Sequence, residues 1–303
     1  MDTASLQQDS LRQPDCATRT RGECPGTFGE LLQGVLPDNR HFLVTLPIAA
    51  RSVVEFEPAP TDRITASIGH KTKSCRAVQD FLRIFGMPPG GVLHFMSGLP
   101  VGKGLASSSS DMVAAIRAAA KHYRLEAAPE IIELILRFIE PTDGVMYDGI
   151  VSFFHREVML DEKIGPAPRF TIVSADRGGE CNTLQFNRIR RETPPVVQQE
   201  YAELLERLKT AVRAHDMRSI GVIATRSCEL SQTANPHPHL GVMQKLCADL
   251  GALGLVATHS GTCLGLLLDA NTKRAEREAA QQASIALDRL AWHGIETRQF
   301  TTA

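Results

Sequence analysis

Residues 100–111 read PVGKGLASSSSD. Gly102 and Gly104 flank Lys103, and Leu105 and Ala106 lead into four consecutive serines, Ser107, Ser108, Ser109 and Ser110. These are phosphate-binding residue types. Glycine lets the backbone approach a ligand, hydroxyls donate hydrogen bonds or ligate a hard cation, and lysine brings charge. The flanks bear on the choice between an anion site and a flexible turn. GVLHFMSGLP (91–100) has strand composition, and DMVAAIRAAAKHY (111–123) has high helix propensity. A strand, a small-residue loop and a helix start, in that order, aim unpaired helix amides and the positive dipole end at whatever the loop holds. A serine-capped helix after a plain turn fits the same letters. The Walker spacing G-x-x-x-x-G-K-[ST] is absent: three residues separate Gly98 from Gly102, and glycine follows Lys103. The dinucleotide fingerprint fails as well, because Gly102 and Gly104 are followed by Ser107.

The elements that must position this loop follow from periodicity. Phe42, Val44, Leu46 and Ile48 alternate, predicting a half-buried strand over 41–56. Strands are also predicted at 150–160 and 169–175, and a strand, tight loop and strand at 254–269. Helices are predicted at 129–139, with a proline in the first turn, and at 197–214, where Val197, Tyr201, Leu204, Leu205, Leu208 and Val212 share a face. Two more are expected near 239–251 and 271–290. Strands and helices mix without strict alternation, which predicts an α+β fold in two layers. DEKIGPAP (161–168) marks a boundary between two similar halves, giving a polar tail over 1–20 and domains at 21–165 and 166–303.

Composition removes several function classes. A chain of 303 residues, 43% hydrophobic and 22% charged, can bury a normal core. The net charge of −1 gives no general electrostatic case for nucleic acid or an anionic membrane. Seven scattered cysteines without a C-x-x-C pair argue against a disulfide framework or zinc site and suit a reducing cytoplasm. The first 23 residues lack an apolar core, so no secretory signal is expected in them, and no apolar run reaches the roughly 18 residues of a membrane helix.

Pro100, Gly104, Leu105, Ser107 and Ser108 lie in register with the P-x-x-x-G-L-x-S-S signature of the GHMP kinases (galactose, homoserine, mevalonate and phosphomevalonate kinases), which the stretch closely resembles. CPGTFGELLQG (24–34) is similar to that family's first motif, and VATHSGTCLGLLLD (256–269) to its third, glycine-rich loop. With IEPTDGV (139–145), these blocks resemble most the L-threonine kinases of cobalamin biosynthesis. The lysine that many GHMP kinases carry near the position of Thr27 is missing, and Lys103 is unusual for the wider family.

The resemblance implies a two-lobed fold, with a ribosomal protein S5 domain 2-like N-terminal half and a ferredoxin-like C-terminal half. It implies ATP and Mg2+ as cofactors and phosphorylation of a hydroxyl on a small amino acid, giving O-phospho-L-threonine. A kinase of the same mechanism for serine, homoserine or a related building block is the alternative, and a non-catalytic sensor a more distant one. Pro100, Gly102, Lys103, Gly104, Leu105, Ala106 and Ser107 to Ser110 would wrap the phosphates. Asp143 would be the catalytic carboxylate, although Asp before Gly is also common in turns. Lys103 would touch a phosphate and stand in for the missing lysine. Ser108 and Glu133, ten residues before Asp143, would hold magnesium, with Glu140 as the rival glutamate. Thr27, Glu30, Ser260, Gly261 and Thr262 would face the substrate or close over the phosphates. Glu30 meets either the substrate amino group or a basic neighbour, and 260–262 also fits a ligand-free hairpin. A small-molecule partner is expected, nucleic acid and membrane are not, and a homodimer is left open. NPHPH (235–239) reads as a loop before a helix, not a metal site, and NRIRRE (187–192) as a solvated loop. Cys24 and Cys263 read as packing residues.

Overall fold

In the computed structural model, residues 19–179, 192–233, 235–269, 273–289 and 296–303 are described. The first half runs β1 (Thr20–Val35), β2 (His41–Pro58), β3 (Ile64–Ala66), α1 (Thr72–Ile84), β4 (Gly91–Ser97), α2 (Ser107–His122), α3 (Pro129–Arg137), β5 (Ile150–Phe154) and β6 (Met159–Gly165). The second runs β7 (Phe170–Asp176), α4 (Pro195–Arg213), α5 (Met217–Leu230), α6 (Leu240–Asp249), β8 (Gly254–Ala257), β9 (Cys263–Asp269), α7 (Lys273–Arg289) and β10 (Glu296–Thr301).

One sheet passes through both halves in the order β10-β7-β9-β8-β1-β2-β4-β3, with β5 on β2 and β6 on β5. The halves join where Glu30 of β1 pairs Ala257 of β8. The order β10-β7-β9-β8, antiparallel throughout, is the ferredoxin-like arrangement. Helices cover the sheet because its strands present apolar rows that must be buried. Phe81, Met112, Ile132 and Phe153 center the core under α1, α2 and α3. Phe28, Phe42, Leu208 and Ile223 center that under α4 and α5. Val173, Leu255, Leu264 and Ala283 pack with α6 and α7.

Three sequence expectations change. The strand predicted over 150–160 is a hairpin, β5 and β6, broken by a turn in which Val158 takes φ +50°. Helix α2 begins at Ser107, not Asp111, because Ala106 turns the chain at φ +57° and brings the serines into the first turn. Thr20, expected at the end of the polar tail, opens β1; residues 1–18 lie outside the described residues, as do 187–191 of the basic run.

Candidate active site

The site starts at the N-terminus of α2. Gly102 (φ +73°), Gly104 (φ +78°) and Ala106 (φ +57°) hold the left-handed turns that bring Pro100, Lys103 and Leu105 round to the helix. Alanine has no side-chain oxygen to cap α2, so the first amides are offered to a ligand. Leu105 is buried in the core with Leu99 and Phe28, and its carbonyl accepts the Thr27 N–H at 3.3 Å. The four serines divide their work. Ser110 is fully buried, and its hydroxyl donates to Pro25 O at 2.8 Å. Ser109 Oγ accepts from Thr142 Oγ1 at 2.5 Å and from the Asp143 N–H at 3.4 Å. Ser108 donates to Glu140 Oε1. Ser107 is half-buried at the loop.

The third loop meets the first backbone to backbone. A Cβ on Gly261 would lie 2.0 Å from Lys103 O, and one on Gly104 would lie 2.6 Å from Thr258 Cβ. Thr258 Oγ1 closes the hairpin by donating to Cys263 O at 3.1 Å. The Asn235 amide spans the carbonyls of Thr258, His259 and Gly261 at 3.3–3.4 Å. Thr262 Oγ1 donates to Asp176 Oδ1 at 2.5 Å, and Ser260, two residues before it, is buried. Lys103 Nζ pairs with Asp176 Oδ2 at 2.7 Å and donates to Gly179 O at 2.8 Å. Burial would raise the Asp176 pKa, but hydrogen bonds from Lys103, Thr262 and the Gly178 N–H outweigh it and hold the carboxyl below its usual range.

Three carboxylates gather opposite the loop. Asp143 is pushed up to about 6, first by burial and then by the negative charge of Glu140. Glu30 is 2% exposed, one of its carboxylate oxygens has no hydrogen-bond partner among the described residues, and burial, followed by the Asp143 charge, raises it well above the usual range. Glu140 takes Lys73 Nζ on its other oxygen at 2.5 Å. Glu133 lies elsewhere: its Oε1 accepts from Tyr147 OH at 2.9 Å and from the Leu160 N–H at 2.8 Å. The glutamate brought to Ser108 is therefore Glu140, the residue next to the proline of the EPTDG turn.

The first motif, the serine loop, the EPTDG turn and the third loop thus converge. Thr27 is 2% exposed and touches the site through its backbone, whereas Glu30 reaches it through its side chain. Sequence reasoning passed over Asp176, at the end of β7, and Asn235, in NPHPH. Neither carries a local signal, because each acts on a loop far away in the chain. His237 Nε2 lies 3.4 Å from Thr262 O, and no cluster of three metal-ligating side chains occurs among the described residues. Cys24 and Cys263 are buried, and burial pushes the Cys24 thiol up to about 12, so packing accounts for both. Ser108 and Glu140 offer adjacent hard oxygens, a donor set that suits magnesium shared with phosphates and water.

Comparison with known proteins shows the family of the chain. The family described as "GHMP kinases N terminal domain" matches residues 72–149, and "GHMP kinases C terminal" matches 208–287, together just over half of the chain. The chain is 26% identical to the L-threonine kinase of Salmonella typhimurium over 253 residues, covering 82% of each. It is 25% identical to that of Citrobacter freundii over 257 residues, covering 82% of this chain and 86% of the relative. Among solved structures, a homoserine kinase from Cytophaga hutchinsonii superimposes with a TM-score of 0.72 at 13% identity, covering 97% of both chains. The Methanococcus jannaschii mevalonate kinase gives 0.66 at 16% identity, covering 94% of this chain and 98% of that one. This chain belongs to the GHMP kinases, enzymes that transfer a phosphoryl group to an alcohol.

Proposed function

We propose that the protein phosphorylates the side-chain hydroxyl of L-threonine, using ATP and Mg2+. The observation that carries the reading is the pairing of the EPTDG turn with the start of α2. Consecutive serines, Ser108 and Ser109, take Glu140 and the Asp143 backbone respectively. Glu140 and Asp143, to which this reading gives the metal and the proton transfer, are thereby held at the helix end where phosphate would sit. The likeness to two L-threonine kinases supports the choice of acceptor.

The amides of the first turn of α2 and the glycine loop bind the phosphates and align the γ-phosphoryl group. Ser108 and Glu140 would hold Mg2+, which when bound neutralises phosphate charge. Asp143 orients the hydroxyl and accepts its proton; with a pKa near 6 it is largely ionised at neutral pH, yet more basic than an ordinary aspartate. The buried Glu30 carboxyl receives the substrate ammonium, which supplies the missing partner. An ammonium has three donors, and Asp176 and Gly179 take two from Lys103, so one remains for a phosphate.

Incubation with ATP, Mg2+ and L-threonine, L-serine or L-homoserine in turn tests the acceptor. ADP and O-phospho-L-threonine are expected with threonine at the highest kcat/KM. Efficient turnover of homoserine or serine with none of threonine would overturn the assignment.

A further inference from the structure

Beside the transfer site lies a cavity of about 480 Å3, whose walls include Gln33 of β1, His41 of β2, His155 and Arg156 of the β5–β6 turn, His259 of the third loop and Tyr201 of α4. Three of its wall residues adjoin residues of the site. Gln33 follows Glu30 on the same strand, and His259 directly precedes Ser260. His155 O accepts the N–H of Thr142, the neighbour of Asp143, at 3.1 Å.

The wall chemistry is that of an anion seat. His155 is 3% exposed, and among the described residues neither of its ring nitrogens makes a hydrogen bond of good geometry, the His41 backbone being the one polar group that bears on the ring. A buried polar group in that state is exceptional, and a bound ligand explains it. The His155 ring lies 4.9 Å from that of His259 and 6.0 Å from that of His41, centroid to centroid. His259 Nδ1 meets Gln33 Oε1 at 2.6 Å, which makes Nδ1 the donor and leaves the Gln33 NH2 as a donor in turn. Burial, then neighbouring positive charge, holds His41 down to about 4 and His259 to about 3; burial likewise dominates at His155. All three rings are neutral at pH 7, so the positive charge that the described residues bring to this wall is that of Arg156. Two carboxylates stand at the margin. Glu192 is exposed, and Glu229 is taken by Arg226 Nη1 and Gln244 Nε2, each at 2.8 Å.

We propose that this cavity seats the carboxylate of the amino-acid substrate, with Arg156, His155 and Gln33 as its donors. The assignment rests on the amino-acid kinase reading and completes it. Glu30 takes the ammonium, Asp143 the hydroxyl, and the cavity the third polar group of the same small molecule. A carboxylate accepts up to four hydrogen bonds and pairs well with a planar guanidinium. These donors therefore set specificity for acids over amides and alcohols.

Calorimetry in the presence of ADP and Mg2+ tests this with L-threonine, L-serine and L-homoserine, each against its amide. Wild-type protein should bind its preferred acid at least tenfold more tightly than the matching amide. Arg156→Met and His155→Leu should each weaken the acid tenfold or more and leave the amide within threefold. His155→Gln, which keeps an N–H donor, should recover most of the acid affinity. Equal binding of acid and amide by the wild type, equal weakening of both in the variants, or no binding of any acid would overturn the assignment. Arg156-dependent binding of an acid other than threonine, without phosphorylation of threonine, would retire the threonine reading and leave the carboxylate seat standing.

Discussion

Asp143 carries two opposed demands. Burial and the Glu140 charge make it a better base, and the same forces make its ionised form costly to the fold. Its folded-state pKa, about 6 against 3.8, lies above the unfolded value. The folded protein therefore binds the proton more tightly, and the stability associated with it is complete below pH 4 and lost as pH rises through 6. The full cost at pH 7 corresponds to roughly 3 kcal/mol. Asp143→Asn should raise the melting temperature at pH 7, and the gain should fade toward pH 4. Thermal denaturation of both proteins across that range checks this. Glu140 and Glu133 offer a second contrast. If Glu140 shares magnesium with Ser108, Glu140→Gln should raise the Mg2+ concentration for half-maximal rate by about tenfold or more. Glu133→Gln should leave that concentration unchanged and lower stability, because Glu133 accepts from Tyr147 and Leu160. Magnesium titrations of initial rate separate the two.

At the scale of elements, the site depends on two loops touching through glycine. Gly261→Ala would place a Cβ 2.0 Å from Lys103 O, so the third loop must move away from the phosphate loop. A displacement of about 1 Å can cost on the order of 100-fold in rate. The expected result is a folded protein with kcat/KM lowered about 100-fold, measured beside its circular dichroism spectrum. Much of this level was legible beforehand. The alternation in β2, the alanines of α2, the apolar face of α4 and the β8–β9 hairpin all announced themselves by period or propensity. β1 did not announce itself. Its CPGTFG segment carries residues that weaken strands, and it survives through register shifts after Pro25, Thr27 and Glu30, with Gly29 at φ +61°. The motif letters pointed to Ser108, Asp143 and Glu30, which the fold brings together, whereas spacing along the chain pointed to Glu133, and the glutamate that reaches Ser108 is Glu140. The choice depends on which glutamate the turn after α3 carries back to α2, and that is decided by tertiary packing. Asp176, Asn235 and His155 were invisible for the same reason.

At the scale of the whole molecule, a single sheet joins halves that each supply one glycine loop. The first half brings the phosphate loop, Glu30, Glu140 and Asp143; the second brings the third loop and the Asp176 that ties Lys103 to it. With a net charge of −1, the proposed attraction for phosphate would be made locally, from helix amides and a few cations, with no need of a basic face. No helix among the described residues is long and apolar enough to cross a membrane. The account stands or falls on whether this junction transfers phosphate to threonine through Asp143. The direct measurement is L-threonine-dependent release of ADP by the wild type and Asp143→Asn, with ATP affinity measured in parallel. The account predicts equal amounts of ADP and O-phospho-L-threonine from the wild type. From the variant it predicts ATP binding within a few-fold of the wild type and a rate lower by about 100-fold or more. A wild type that binds ATP but consumes none with threonine, or a variant that keeps the wild-type rate, would contradict it.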